Sequence, residues 1–138
     1  MALDQDIERL AQVPLFQTLE PDALRLLAFS GETRIVLADT VLFRRGEASE
    51  GGFLVLSGTI LVTDGAYEAV RVGPGSLIGE TVLLRDVPHA QSAVAQETST
   101  LIKLPRRAVL RVLEEHPGSA RRLLAFLARR LHAALPEA

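Results

Sequence analysis

Between Glu32 and Leu104 the chain is cut into short β-branched runs, among them Arg34-Ile-Val-Leu37, Thr40-Val-Leu-Phe43, Phe53-Leu-Val-Leu56 and Thr59-Ile-Leu-Val62. Glycine, aspartate and proline separate them, as turns separate strands. Many short strands at close spacing fold as an antiparallel barrel or jelly roll, because such a sheet must curl or stack to cover its apolar face and its edges. Asp64-Gly65 predicts a hairpin turn, since both residues tolerate the positive φ angles that such turns require.

Outside this stretch the period is helical. Ile7, Leu10 and Ala11, then Leu24, Leu27 and Ala28, fall at helical spacing within residues 4–29, and Pro14 and Pro21 divide them into two short helices. Pro21 suits a first helical turn, where no intrahelical partner is lost. After Pro105, Ala108, Val109, Val112 and Leu113 form one stripe, and Ala120, Leu123, Leu124, Leu127 and Leu131 form another, with Pro117-Gly118 between them. The expected fold is α+β: an antiparallel β-roll of about eight strands over residues 32–104, jelly-roll-like, with two N-terminal helices before it and two C-terminal helices over residues 105–135. At 138 residues the chain suffices for one compact domain, residues 1–138.

Composition removes several classes of function. Lys and Arg total 15 against 17 for Asp and Glu, a formal charge of −2, so no basic excess exists to hold a nucleic-acid backbone. With no cysteine, disulfides, thiolate metal sites and a cysteine nucleophile are all excluded. The acidic start Met1-Ala-Leu-Asp-Gln-Asp and the lack of any long apolar run point to a cytoplasmic protein with no membrane contact. His89, His116 and His132 fall on separate elements and show no metal-binding spacing, and no nucleophile is paired with a base, so neither a metal site nor an enzyme is expected.

Residues 73–95 carry the chemistry. Gly79 lets backbone approach a ligand closely. The following Glu80-Thr-Val-Leu-Leu84 can form a short helix whose leading amides face an anion. Taken alone, Gly79 and Glu80 read more simply as a tight turn with an acidic helix start.

The order of the segments adds to this. Val13-Pro-Leu-Phe16 with Leu19-Glu-Pro-Asp-Ala-Leu24, then Leu42-Phe-Arg-Arg-Gly-Glu47, then Phe53-Leu-Val-Leu-Ser-Gly58-Thr-Ile, then residues 73–95, then Leu101-Ile-Lys-Leu104-Pro105, resemble the cyclic-nucleotide-binding domain of the catabolite-activator and cyclic-nucleotide-dependent kinase superfamily. The resemblance covers nearly the whole chain. It implies a regulatory module binding cyclic AMP or cyclic GMP, with Glu80 accepting the ribose 2′-hydroxyl and the amides of Gly79, Glu80, Thr81, Val82 and Ala90 holding phosphate and sugar. His89 then falls where the family has its phosphate-pairing arginine, and Ser92 at the Ser or Thr that follows.

An arginine offers a planar, permanently cationic fork; histidine is shorter and largely neutral at pH 7. Truncating one partner of a desolvated charge pair costs about 2 to 5 kcal/mol, roughly thirtyfold to several thousandfold in affinity. A lost site, a site for another anion, and weak binding that strengthens on protonation of His89 all stay open. Arg85, four residues earlier, is a substitute cation only if it leaves solvent.

Two functions therefore compete: a sensor that binds a cyclic nucleotide weakly and signals to a protein partner through its C-terminal helices, and a degenerate interaction module that has lost the ligand because of His89. In the family's transcription factors the last helix continues into a helix-turn-helix; the sequence stops at Leu135-Pro-Glu-Ala138, so no DNA-reading module is expected. Arg121, Arg122, Arg129 and Arg130 read as the solvated face of an amphipathic helix. Leu123, Phe126, Leu127 and Leu131 provide a face through which a homodimer could form.

Overall fold

The computed structural model describes residues 2–65 and 68–135; these group into two compact units, a roll of the described residues between 30 and 109 and a helical unit of residues 2–29 and 110–135. In the roll, eight strands run in order: β1 (Glu32–Val36), β2 (Val41–Phe43), β3 (Gly51–Ser57), β4 (Ile60–Thr63), β5 (Val70–Val72), β6 (Leu77–Ile78), β7 (Ser92–Ala95) and β8 (Ser99–Pro105). They form two antiparallel four-stranded sheets, β1-β8-β3-β6 and β2-β7-β4-β5. Phe43, Val62 and Ala93 from one sheet meet Val55, Ile78 and Leu101 from the other in a common core. Leu54 and Val55, adjacent on β3 and facing opposite ways, are both almost fully buried, so this strand is covered on each face.

Gly58 shows why the strand order takes this form. It joins β3 of one sheet to β4 of the other at φ +92°, and a Cβ there would run into Ser99. Glycine alone turns that corner without strain. The Ser99 hydroxyl occupies the space instead and accepts the Thr59 amide at 3.1 Å.

β4 and β5 pair as an antiparallel hairpin, Val62 with Val70, and the turn expected at Asp64-Gly65 lies at its start, with Gly65 at φ +88°. The glycine marks where the chain leaves β4. Ala66 and Tyr67 lie outside the described residues.

In the helical unit, α1 (Ala2–Ala11), a 3-10 turn (Pro14–Thr18) and α2 (Pro21–Ser30) precede the roll, and α3 (Arg106–Glu115) and α4 (Pro117–Ala134) follow it. α3 starts on the roll side and runs into the helical unit. The break between α3 and α4 falls at His116, and Pro117-Gly118 opens α4 instead of separating the helices, because proline loses nothing at a first turn. The fully buried Ser119 hydroxyl accepts the Glu20 amide at 2.9 Å, and His116 Nδ1 lies 3.0 Å from Glu20 Oε1.

The four arginines of α4 are exposed, as expected, and Arg122 Nε also donates to the Thr18 carbonyl at 3.0 Å. One expectation for α4 needs correction. The predicted apolar stripe divides, with Leu123 buried and Leu124 and Leu131 exposed at 63% and 62%. Adjacent positions 123 and 124 lie about 100° apart on a helix, so one packing face cannot hold both. Among the described residues no helix is long and apolar enough to cross a membrane.

Candidate functional site

The link from β6 to β7, residues 79–91, wraps one side of a cavity of about 470 Å³. Gly79, Glu80, Thr81, Val82, His89 and Ala90, the six residues singled out in the sequence, all line it. Phe43, Val62 and Val72 close its inner wall from the facing sheet, and Val70 lies at its exposed rim. Ser92 does not line it; its hydroxyl accepts the Arg45 amide at 2.9 Å and so ties β7 to the chain after β2. Arg85 is exposed and absent from the lining.

Gly79 begins the wrap at φ +81°, and a Cβ on it would stand 3.0 Å from a Val82 methyl. The expected short helix is a single 3-10 turn, Thr81–Leu83, with half-buried Glu80 just before it. Leu83 is the first amide to bond back, to Gly79 at 3.2 Å and Glu80 at 3.3 Å. The amides before it precede the first bond of the turn, as at any helix start.

His89 sits at the other end of the wrap, 7% exposed. Its backbone pairs twice with the turn after β2: its N–H donates to Glu47 O at 2.9 Å and its carbonyl accepts from Gly46 N–H at 2.8 Å. Its ring lies flat on Phe43, 3.8 Å between centroids and 8° between planes, and Phe43 in turn stacks on Phe53 at 6.1 Å. Burial pushes the imidazole below its ordinary pKa, Glu47 works against that shift, and Arg106 adds to it. A second, smaller hollow of about 170 Å³ shares Phe43 and His89 with the first, and Lys103 on its wall pairs with Glu50 at 2.8 Å.

Arg106, at the start of α3, holds the wrap in place. Its guanidinium donates to Val82 O at 3.0 Å, Arg85 O at 3.1 Å, Asp86 Oδ1 at 3.1 Å, Ser49 Oγ at 3.0 Å and Ser49 O at 2.9 Å. The Ser49 hydroxyl donates onward to Val87 O. A planar fork with five donors suits this cluster of carbonyls as an ammonium would not. Sequence reasoning missed both Arg106 and Phe43. An arginine opening a helix and a phenylalanine ending a strand carry no local mark of what they touch.

A protein-family model, the cyclic nucleotide-binding domain, matches residues 33–116. The chain is 33% identical over 126 residues to the cyclic AMP receptor protein of Thermus thermophilus, covering 88% of this chain and 58% of that protein. It is 30% identical over 115 residues to the cAMP-dependent protein kinase regulatory subunit of Colletotrichum orbiculare, covering 82% of this chain and 29% of that one. Among solved structures, a cyclic nucleotide-binding-like protein from Brucella abortus superposes with a TM-score of 0.69 at 35% identity, over 80% of this chain and 98% of that chain. The chain thus spans little more than half the length of the first of these curated relatives and under a third of the second.

Proposed function

The chain belongs to the cyclic nucleotide-binding domain family, and on that footing we propose that residues 1–138 act as one regulatory, non-catalytic module of the cytoplasm. The module binds cyclic AMP or cyclic GMP weakly in the roll cavity and passes occupancy to a protein partner through its C-terminal helices, with homodimerisation through α4. One observation carries this reading: Gly79, Glu80, Thr81, Val82, His89 and Ala90, identified from sequence, line a single cavity. Glu80 would take the ribose hydroxyl, and the amides around Gly79 and Ala90 the phosphate. Occupancy moves the helices to the extent that ligand binds one arrangement better than another.

The buried, stacked His89 favours a second reading. Its ring is packed as an aromatic and supplies no permanent cation, so the alternative is an interaction module that keeps the fold without the ligand. A ligand that binds the native state raises its melting temperature. Thermal unfolding with millimolar cyclic AMP and cyclic GMP, at pH 6 and pH 8, separates the two. A rise supports the sensor. No rise in the wild type, with a rise in His89→Arg, identifies an intact pocket that has lost its counter-charge.

A further inference from the structure

β1 forms one edge of the sheet β1-β8-β3-β6. On one side it pairs with β8 over five consecutive positions, Glu32 to Val36, without a register shift. Among the described residues no other backbone–backbone hydrogen bond reaches residues 32–36, so the outer side presents unpaired amides and carbonyls, the template on which a further strand adds. Glu32, Thr33, Arg34 and Ile35 are all exposed, Ile35 at 72%, and neither a proline nor a bulge blunts the edge.

Charge decides what can be added. Side chains two apart on a strand share a face, so Glu32 and Arg34 stand together and pair at 2.9 Å. Two copies of one edge meet antiparallel about a two-fold axis, and a slip of one residue would turn every side chain to the wrong face, so the axis must pass through a residue paired with itself. An axis at Glu32 opposes two carboxylates, and an axis at Arg34 opposes two guanidiniums. An axis at Thr33 sets Glu32 of each copy opposite Arg34 of the other, and Ile35 of each beside the other's Gly31, which has no side chain to obstruct it. Glu32, already opposite Lys103 of β8, then has a cation on either side. We infer that β1 is a self-association edge, whose partner is β1 of a second copy of this chain in the register centred on Thr33. The existing Glu32–Arg34 pair is exposed and weak, so exchanging its partner costs little. A single short strand from each copy makes a small interface, and the expected Kd is about 1 mM. This association is independent of what the roll cavity holds.

The test uses the whole chain carrying Leu131→Arg, which removes association through the exposed leucines of α4, and follows sedimentation up to about 1 mM protein. Glu32→Arg leaves two arginines on the strand and Arg34→Glu two glutamates, so each alone is expected to self-associate at least about tenfold more weakly than the parent. Mixed in equal amounts, the two variants are expected to recover the parent's association, because every facing pair is again opposite in charge. Both positions are exposed, and circular dichroism checks that the variants fold. Recovery on mixing, with hydrogen exchange slowed at residues 32–36 as concentration rises, supports the inference. A parent that stays monomeric overturns it. Variants that both weaken association and do not recover on mixing also overturn it. So does association that neither charge reversal changes, including association that Ile35→Lys alone disrupts, which belongs to a register centred on Ile35.

Discussion

The His89 imidazole lies parallel to the Phe43 ring, with 3.8 Å between centroids, on the wall of the roll cavity. Phe43 therefore supports His89 on one side and the roll core on the other. Phe43→Ala is expected to cost about 3 kcal/mol, the range for a buried aromatic cut to a methyl. The same change opens His89 to water and moves its pKa up toward the ordinary 6.5. Urea denaturation measures the first effect, and an NMR titration of the imidazole protons the second.

His89 also gives stability a sign with pH. Its folded pKa lies below the ordinary 6.5 because of burial and Arg106, with Glu47 opposing them. The unfolded chain therefore takes up the proton first as pH falls through 6.5. Over the interval down to the folded pKa the unfolded state binds more protons, and the native state loses stability. Lowering pH from 8 to 6 should reduce the melting temperature of the wild type more than that of His89→Gln. His116, beside Glu20, is present in both chains and cancels in the difference. A bound anion favours the imidazolium, so cyclic AMP affinity should move the opposite way, rising as pH falls in the wild type and staying flat in the variant.

These two predictions rest on contacts of unequal legibility. Gly79 to Val82 could be read from the sequence because a positive-φ glycine, an acidic residue and a short apolar turn act within a few positions of one another. His89 could be placed by counting back from Pro105. Its neighbour Phe43 could not, since that contact joins β2 to a loop 46 positions later and depends on the strand pairing. Arg106 reaches Ser49 across 57 positions for the same reason. Asp64-Gly65 is legible as a turn, but the number of residues between β4 and β5 is not, because the Val62–Val70 pairing decides it.

Arg106→Ala should release the wrap without emptying the roll core. Three carbonyls, those of Val82, Arg85 and Ser49, lose a charged donor together, for a cost of about 3 kcal/mol. Hydrogen exchange is expected to quicken at the Leu83, Leu84 and Arg85 amides while those of β3 and β8 stay protected. Arg106→Lys keeps the charge and loses the fork, so exchange at the same amides should fall between wild type and Arg106→Ala.

Gly79→Ala separates backbone strain from lost contacts. At φ +81° any L side chain is disfavoured, and the added methyl would stand 3.0 Å from Val82. The expected cost is about 1 to 2 kcal/mol. Because Val82 lines the cavity, the pocket should also change shape. Thermal unfolding reads the stability, and the loss should exceed that of Gly46→Ala, where φ is similar but no atom lies within 4 Å of the added methyl.

Leu124 and Leu131 stand exposed at 63% and 62%, seven residues apart on one side of α4. That spacing brings side chains to one face of a helix, and leucines on such a face lose water contact when a second helix covers them. Phe126 does not serve as a clean probe of this surface, because the Arg130 guanidinium sits 4.7 Å over its ring. Leu131→Arg is cleaner: an exposed residue contributes little to the stability of the isolated chain, so a change in mass reports association and not misfolding. If the homodimer forms through α4, sedimentation of the wild type gives twice the monomer mass and Leu131→Arg returns it to one, with circular dichroism unchanged. A wild type that sediments as a monomer at every concentration removes α4 dimerisation from the proposed mechanism.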